Sequence, residues 1–271
     1  MSGMTRRGAL NASAAFSIAA ASGKISFAQS ATTNMPLFQN ELAATRLIDH
    51  TDRRIIELAA RLAGDATDQA AIAVKLHDWV RDEIPFGIAP AFYDMRATEV
   101  LEARIGYCNT KSTLLKALLR ARGIPTRLRV VDLSASVLRG LFDPGTPYVD
   151  HAITEIFLKD RWLALDSMVV DSALERVARA KLQSERAITG WGIHINGAAQ
   201  WSGTTDRFIQ AVDDGSIAQW IAKDHGYFAD IEDFYAKVDT ARNRKTVFNS
   251  LMLRVGASAL NRRIDAVRRS A

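Results

Sequence analysis

The apolar positions of this chain change their period as it is read from one end to the other, and the changes mark its elements. Ile55, Leu58, Ala59 and Leu62 recur at helical spacing and stop at Gly64. Ile72, Leu76, Trp79, Val80 and Ile84 repeat that pattern until Pro85 ends it. After an irregular stretch through Pro90 and Tyr93, Thr98 is placed to cap a short helix that closes before Gly106. Leu114, Leu115, Leu118 and Leu119 form an i, i+3, i+4 stripe that predicts a buried helix starting at Cys108. Arg120 and Arg122 suit its C-terminus, and Gly123 with Pro125 closes it. Further on, "HAITEIFLKDRWLALD", residues 151–166, places two β-rich runs on either side of Lys159-Asp160, the pattern of a two-residue hairpin turn. From Ser172 the chain reads as mainly helical. It is broken by the irregular "GWGIHINGAAQWSG" at 190–203 and finishes in a basic amphipathic stretch, Arg254 to Arg269, whose charges form a solvated face.

The hairpin carries a testable register. A two-residue turn sets Ile153 opposite Asp166 and His151 opposite Met168. Residues two apart on a strand share a face, so His151 and Asp166 become diagonal neighbours, roughly 7 to 8 Å apart at the backbone. A turn one residue longer would send them to opposite faces. Cys108, the single cysteine, stands where the open N–H groups and positive dipole end of a helix favour negative charge and can stabilise an oxyanion. Free cysteine is also among the most buried residue types, Asp166 alone reads as a strand-end turn former, and His151 alone simply follows a loop. In this order and these settings the three supply a nucleophile, a base and an orienting acid, the needs of nucleophilic amide chemistry.

Composition narrows the context. Of 271 residues, 48% are hydrophobic, which is globular usage, and no run after the N-terminus reaches the ~20 apolar residues of a membrane-spanning helix. Thr5-Arg6-Arg7-Gly8-Ala9-Leu10-Asn11, the alanine-rich stretch 12–21 and Ser26-Phe27-Ala28 resemble a twin-arginine export signal over residues 1–28; the plain alternative is an amphipathic helix. The expected location is the periplasm. The net charge is +5, and the segment ahead of Gln29 holds Arg6, Arg7 and Lys24 with no acid, leaving +2 for the rest. That near-neutral balance argues against a nucleic-acid partner. One cysteine allows no internal disulfide. His194 and His225 have no His or Cys at ligand spacing and read as packing residues, His77 reads as a surface or packing residue, and no acidic cluster resembles a calcium loop, so neither metal nor cofactor is expected. The long connection "SASVLRGLFDPGTPYVD", 134–150, ends at His151 and reads either as a surface loop or as a substrate gate.

"RATEVLEARIGYCNTKSTLLKALLRARGIPTRLRVV" followed by "DHAITEIFLKDRWLALDSM" resembles the transglutaminase-like superfamily of papain-like cysteine enzymes. The motif elements are G-x-C opening a leucine-rich helix, R-x-x-G-I-P before a strand, H-A-x-x-E on a strand and W-x-x-x-D on the next, over about residues 70 to 168. The resemblance implies an α+β fold in which the Cys108 helix packs on an antiparallel sheet, with Cys108 as nucleophile, His151 as base and Asp166 as orienting acid. It divides the chain into a catalytic core at 35–170, including the N-terminal helices, and a mainly helical extension at 171–271. The expected activity is thioester-mediated cleavage of a peptide or protein amide, as a peptidase or amidase. Amine-accepting acyl transfer, by protein cross-linking or in the manner of arylamine N-acetyltransferases, and a noncatalytic peptide-binding module are the alternatives.

Overall fold

The computed structural model describes residues 38–89, 91–212, 220–238 and 256–270; the export signal expected at 1–28 lies outside them. Residues Pro36–Ala271 form one compact unit. Two helices open it, α1 (Arg53–Ala63) and α2 (Gln69–Glu83), each started by an aspartate whose carboxylate accepts from a first-turn N–H: Asp52 from Arg54 and Asp68 from Ala71. Helix α3 (Ala97–Ala103) differs from expectation at its start. Its N-cap is Arg96, whose backbone N–H donates to Glu99 Oε2 at 2.8 Å, while the Thr98 hydroxyl lies inside the first turn and donates to Asp49 at 2.6 Å. A threonine two residues into a helix loses its capping role when a loop carboxylate outside the helix offers a charged acceptor.

Helix α4 (Cys108–Arg120) is the centre of the molecule: it touches α1, α2, α3 and the strands β1 (Thr126–Ser134) and β2 (Tyr148–Leu158), and all 13 of its residues are buried. Leu114, Leu115, Leu118 and Leu119 are fully covered, each stabilising the fold by about 1.5–3 kcal/mol. The polar side of the helix is covered too. Lys111 Nζ donates to the Arg81 carbonyl at 2.9 Å, and burial pushes its amine down to about 7. Lys116 Nζ donates to the Ala229 carbonyl at 2.8 Å, and burial pushes its amine well below the usual lysine range.

The sheet runs β3-β2-β1-β6, antiparallel throughout, with β3 at Arg161–Leu165 and β6 at Ile221–Phe228. Lys159 and Asp160 both have positive φ, 50° and 61°, the signature of a two-residue type I′ turn. Thr154 therefore pairs with Leu165 and Leu158 with Arg161, the register read from the sequence. Beyond the core, α5 (Ser172–Glu185) leads into an irregular stretch carrying the two-residue strands β4 (Thr189–Gly190) and β5 (Ile193–His194). The extension is thus not helical throughout: β6 supplies the edge strand of the core sheet, ahead of α6 (Ile231–Lys237) and a helix at 256–268. The first half of the 134–150 connection is packed down, with Val137, Leu138 and Leu141 buried and Gly140 lying against the Trp191 indole, where a Cβ would approach to 2.6 Å.

Candidate active site

Three elements deliver the three residues singled out in the sequence. Cys108 is the first residue of α4, so its N–H has no acceptor within the helix. The N-cap residue is Tyr107, which lacks the short side-chain oxygen that usually covers such groups. His151 is on β2 opposite Val131, and Asp166 immediately follows β3. The structure brings all three together. His151 Nε2 donates to Asp166 Oδ2 at 2.8 Å, and its ring lies close enough to the Cys108 side chain to interact with it electrostatically. Since Asp166 occupies Nε2, Nδ1 is left for the sulfur.

The surroundings explain why this pair holds a charge. Cys108 is 7% exposed, His151 1% and Asp166 0%. Burial alone would push the His151 ring down; the hydrogen-bonded Asp166 carboxylate and the neighbouring Cys108 side chain outweigh it and raise the ring to about 10. Asp166 is fixed by a cradle. It accepts from the backbone N–H of Ile209 at 2.6 Å and Ala211 at 2.8 Å, with Gln210 N–H at 3.3 Å, while its own N–H donates to the Arg207 carbonyl at 3.1 Å. Segment 207–211 reaches it by running alongside β3, where Leu165 and Arg207 form an isolated parallel bridge.

A second ring of polar groups lies around the cysteine. Cys108 Sγ donates to Asn109 Oδ1 at 3.4 Å, and Asn109 Nδ2 sits 3.4 Å from both Asp150 Oδ2 and Tyr235 Oη. The Tyr235 hydroxyl donates to Asp150. The neighbours in sequence of Cys108 and His151, namely Asn109 and Asp150, are thereby joined through a tyrosine on α6. Adjacency to the two reactive residues was the only signal in the sequence for Asn109 and Asp150. For Tyr235 and the 209–211 cradle there was none, because both arrive from the extension through tertiary packing.

His77, His194 and His225 have packing partners. His77 is fully buried, with Nε2 against Ser167 Oγ at 2.8 Å and Nδ1 against Asp78 Oδ1 at 2.9 Å. His225 Nε2 bonds Asp132 at 2.9 Å, and the buried His194 accepts at Nδ1 from the Asn196 N–H.

Residues 56–167 match the family model of the transglutaminase-like superfamily, and the stretch includes Cys108, His151 and Asp166. The similarity to that superfamily covers less than half of the chain. Among solved structures the chain is similar to a protein of Cytophaga hutchinsonii named as a candidate cysteine protease, at 19% identity over 47% of this chain and 40% of that one, with a TM-score of 0.39. The match therefore spans less than half the length of that protein. No curated protein matches the chain. The transglutaminase-like match ends at residue 167, so the Asp166 cradle, β6 and Tyr235 all come from outside it. Among the described residues, no helix is long and apolar enough to cross a membrane.

Proposed function

We propose that the protein is a cysteine hydrolase, a peptidase or amidase, that cleaves an amide of a peptide or protein substrate through a thioester on Cys108. The sulfur adds to the acyl carbon, His151 carries the proton from Sγ to the departing amine, and Asp166 holds the ring so that one nitrogen serves the sulfur. Water then attacks the thioester with His151 as base. The observation that carries this reading is His151, bonded to Asp166 at 2.8 Å and placed beside Cys108, with its ring raised to about 10. A ring held cationic through neutral pH is a counter-ion for a nucleophilic sulfur. Hydrolysis is preferred over amine-accepting acyl transfer because it needs only water as acceptor. The exported, periplasmic location belongs to the same proposal and rests on Arg6-Arg7 and Ser26-Phe27-Ala28. Mass spectrometry of the mature N-terminus tests it, and an intact Met1 on the exported protein defeats it.

The decisive experiment is the pH dependence of iodoacetamide labelling of Cys108. Rapid labelling at pH ~6, below the ordinary cysteine range near 8.5, and its loss in His151→Ala support the pair. Slow labelling that is equal in both proteins overturns catalysis and favours a noncatalytic binding module. Adding methylamine during turnover of p-nitrophenyl acetate separates the two acyl fates: N-methylacetamide as the main product would favour acyl transfer over hydrolysis.

A further inference from the structure

Tyr107 holds a buried hydroxyl that the fold does not use. The residue is 8% exposed, and its Oη lies out of reach of solvent with no hydrogen-bond partner among the described residues. Such orphaned donors are rare in folded proteins and usually have a reason. The ring is held firmly. It stacks on Phe92 at 5.2 Å and 17°, Phe92 meets Tyr93 edge-on at 5.8 Å, and Tyr93 packs on Tyr235 at 4.1 Å. Tyr235 in turn reaches Asn109, whose amide touches the Cys108 sulfur at 3.4 Å, so the aromatic cluster closes around the cysteine. Burial raises the Tyr107 phenol well above its ordinary range, and the nearby Cys108 and Asp150 side chains raise it further, with the Asn109 side chain offsetting part of the rise. The phenol, on the residue that precedes Cys108, is therefore kept as a neutral O–H donor.

We infer that Tyr107 is a catalytic residue whose hydroxyl, with the Cys108 backbone N–H, forms the oxyanion hole of the thioester chemistry proposed above, a role that rests on that reading. When Sγ adds to the acyl carbon, the C–S bond forms and the carbonyl π pair moves to oxygen. That oxygen accepts from Tyr107 Oη–H and from Cys108 N–H, the group left open at the first position of α4. As the intermediate collapses, C=O re-forms and the bond to the leaving group breaks; an amine leaves with the proton from His151. Both donors then return to their resting state. A donor unpaired before the reaction and paired during it favours the transition state over the ground state.

The test uses the full chain and two reagents. Iodoacetamide alkylates the sulfur without forming an oxyanion, whereas p-nitrophenyl acetate acylates it through one; Cys108→Ala gives the background. Tyr107→Phe removes only the hydroxyl. The expected result is an acylation rate about 10²-fold lower, an alkylation rate within about twofold of wild type, and a thermal midpoint no lower than wild type, since the lost hydroxyl bonded nothing. Tyr235→Phe, which removes a hydroxyl bonded to Asp150, lowers the midpoint instead. Unchanged acylation, a parallel fall in both rates, or a Tyr107→Phe protein that does not fold each overturns the role. A wild-type thiol inert to both reagents overturns the parent reading together with this one. Wild-type reactivity that survives intact in Tyr107→Phe overturns the tyrosine alone.

Discussion

Two buried histidines, bonded to consecutive residues, end up with opposite electrostatics. His151 is bonded to Asp166 and is raised to about 10; His77 is bonded to Ser167 and is pushed below the usual histidine range. Their burial is nearly the same, 1% and 0% exposed. For both rings burial is the largest single influence and acts downward. At His77 it wins, because the raising contributions come from Asp78 alone, which is half exposed, while Arg81 and Lys111 add to the fall. At His151 it loses, because the buried Asp166 carboxylate and the Cys108 side chain both face the ring. Burial makes a histidine sensitive to its partners; the partners decide the sign. A ring kept neutral braces the chain next to Asp166, while a ring kept cationic faces the Cys108 sulfur.

The sharpest way to break this contrast is to remove the cationic ring. His151→Ala is expected to slow iodoacetamide labelling at pH ~6 by about 10²–10³-fold, in the range lost with a general base; labelling as fast as wild type would mean that His151 does not govern the sulfur. Asp166→Asn comes next. It is expected to slow p-nitrophenyl acetate acylation by about 10²-fold or more through the wrong ring tautomer. It also costs about 3–5 kcal/mol in denaturant melts, because a buried pair is broken and the 209–211 cradle loses an acceptor. Ser167→Ala works on the other histidine, leaving a buried ring nitrogen unpartnered at a cost of about 1–3 kcal/mol, with the labelling profile against pH unchanged. A shifted profile would show that the two histidines act as one unit.

The smallest effects are in the pH dependence of stability. The stability contributed by His151 is fully present below about 6.5 and is lost as pH rises through about 10. His77, lowered from the same reference, gives the opposite sign: the unfolded chain takes up the proton more readily, so stability falls as pH drops below 6.5. Lys111, lowered to about 7, adds stability as pH rises from there toward 10.5 and offsets His151 in that window. Between thermal midpoints at pH 7 and 5 the loss comes from His77 together with His50, which burial also lowers. His77→Gln is expected to shrink this loss, and an unchanged loss would assign it elsewhere.

Much of this site was legible in the sequence for a local reason. The Cys108 helix follows from four leucines at helical spacing and a Gly123 closure with φ of 69°. The side-chain geometry of His151 and Asp166 follows from a two-residue turn, because hairpin register is fixed by the turn and alternation then fixes the face. Such features depend on neighbours within about twenty residues. Thr98 misled because its acceptor, Asp49, lies 49 residues away. The lysines of α4 gave no warning of burial, since periodicity marks the apolar side of a helix and cannot say whether the other side is covered as well.

The sequence by itself determined the order of helices and strands in the core, the hairpin register and the placement of cysteine, histidine and aspartate on elements able to meet. Only the tertiary structure decided what holds them. The cradle on Asp166 comes from 209–211, the link between Asn109 and Asp150 from Tyr235, and the edge of the sheet from β6. The physical reason is that backbone N–H groups and single tyrosines carry no periodic pattern of their own. Their partners exist only once distant segments have packed, and the chain between them can take many lengths at little entropic cost.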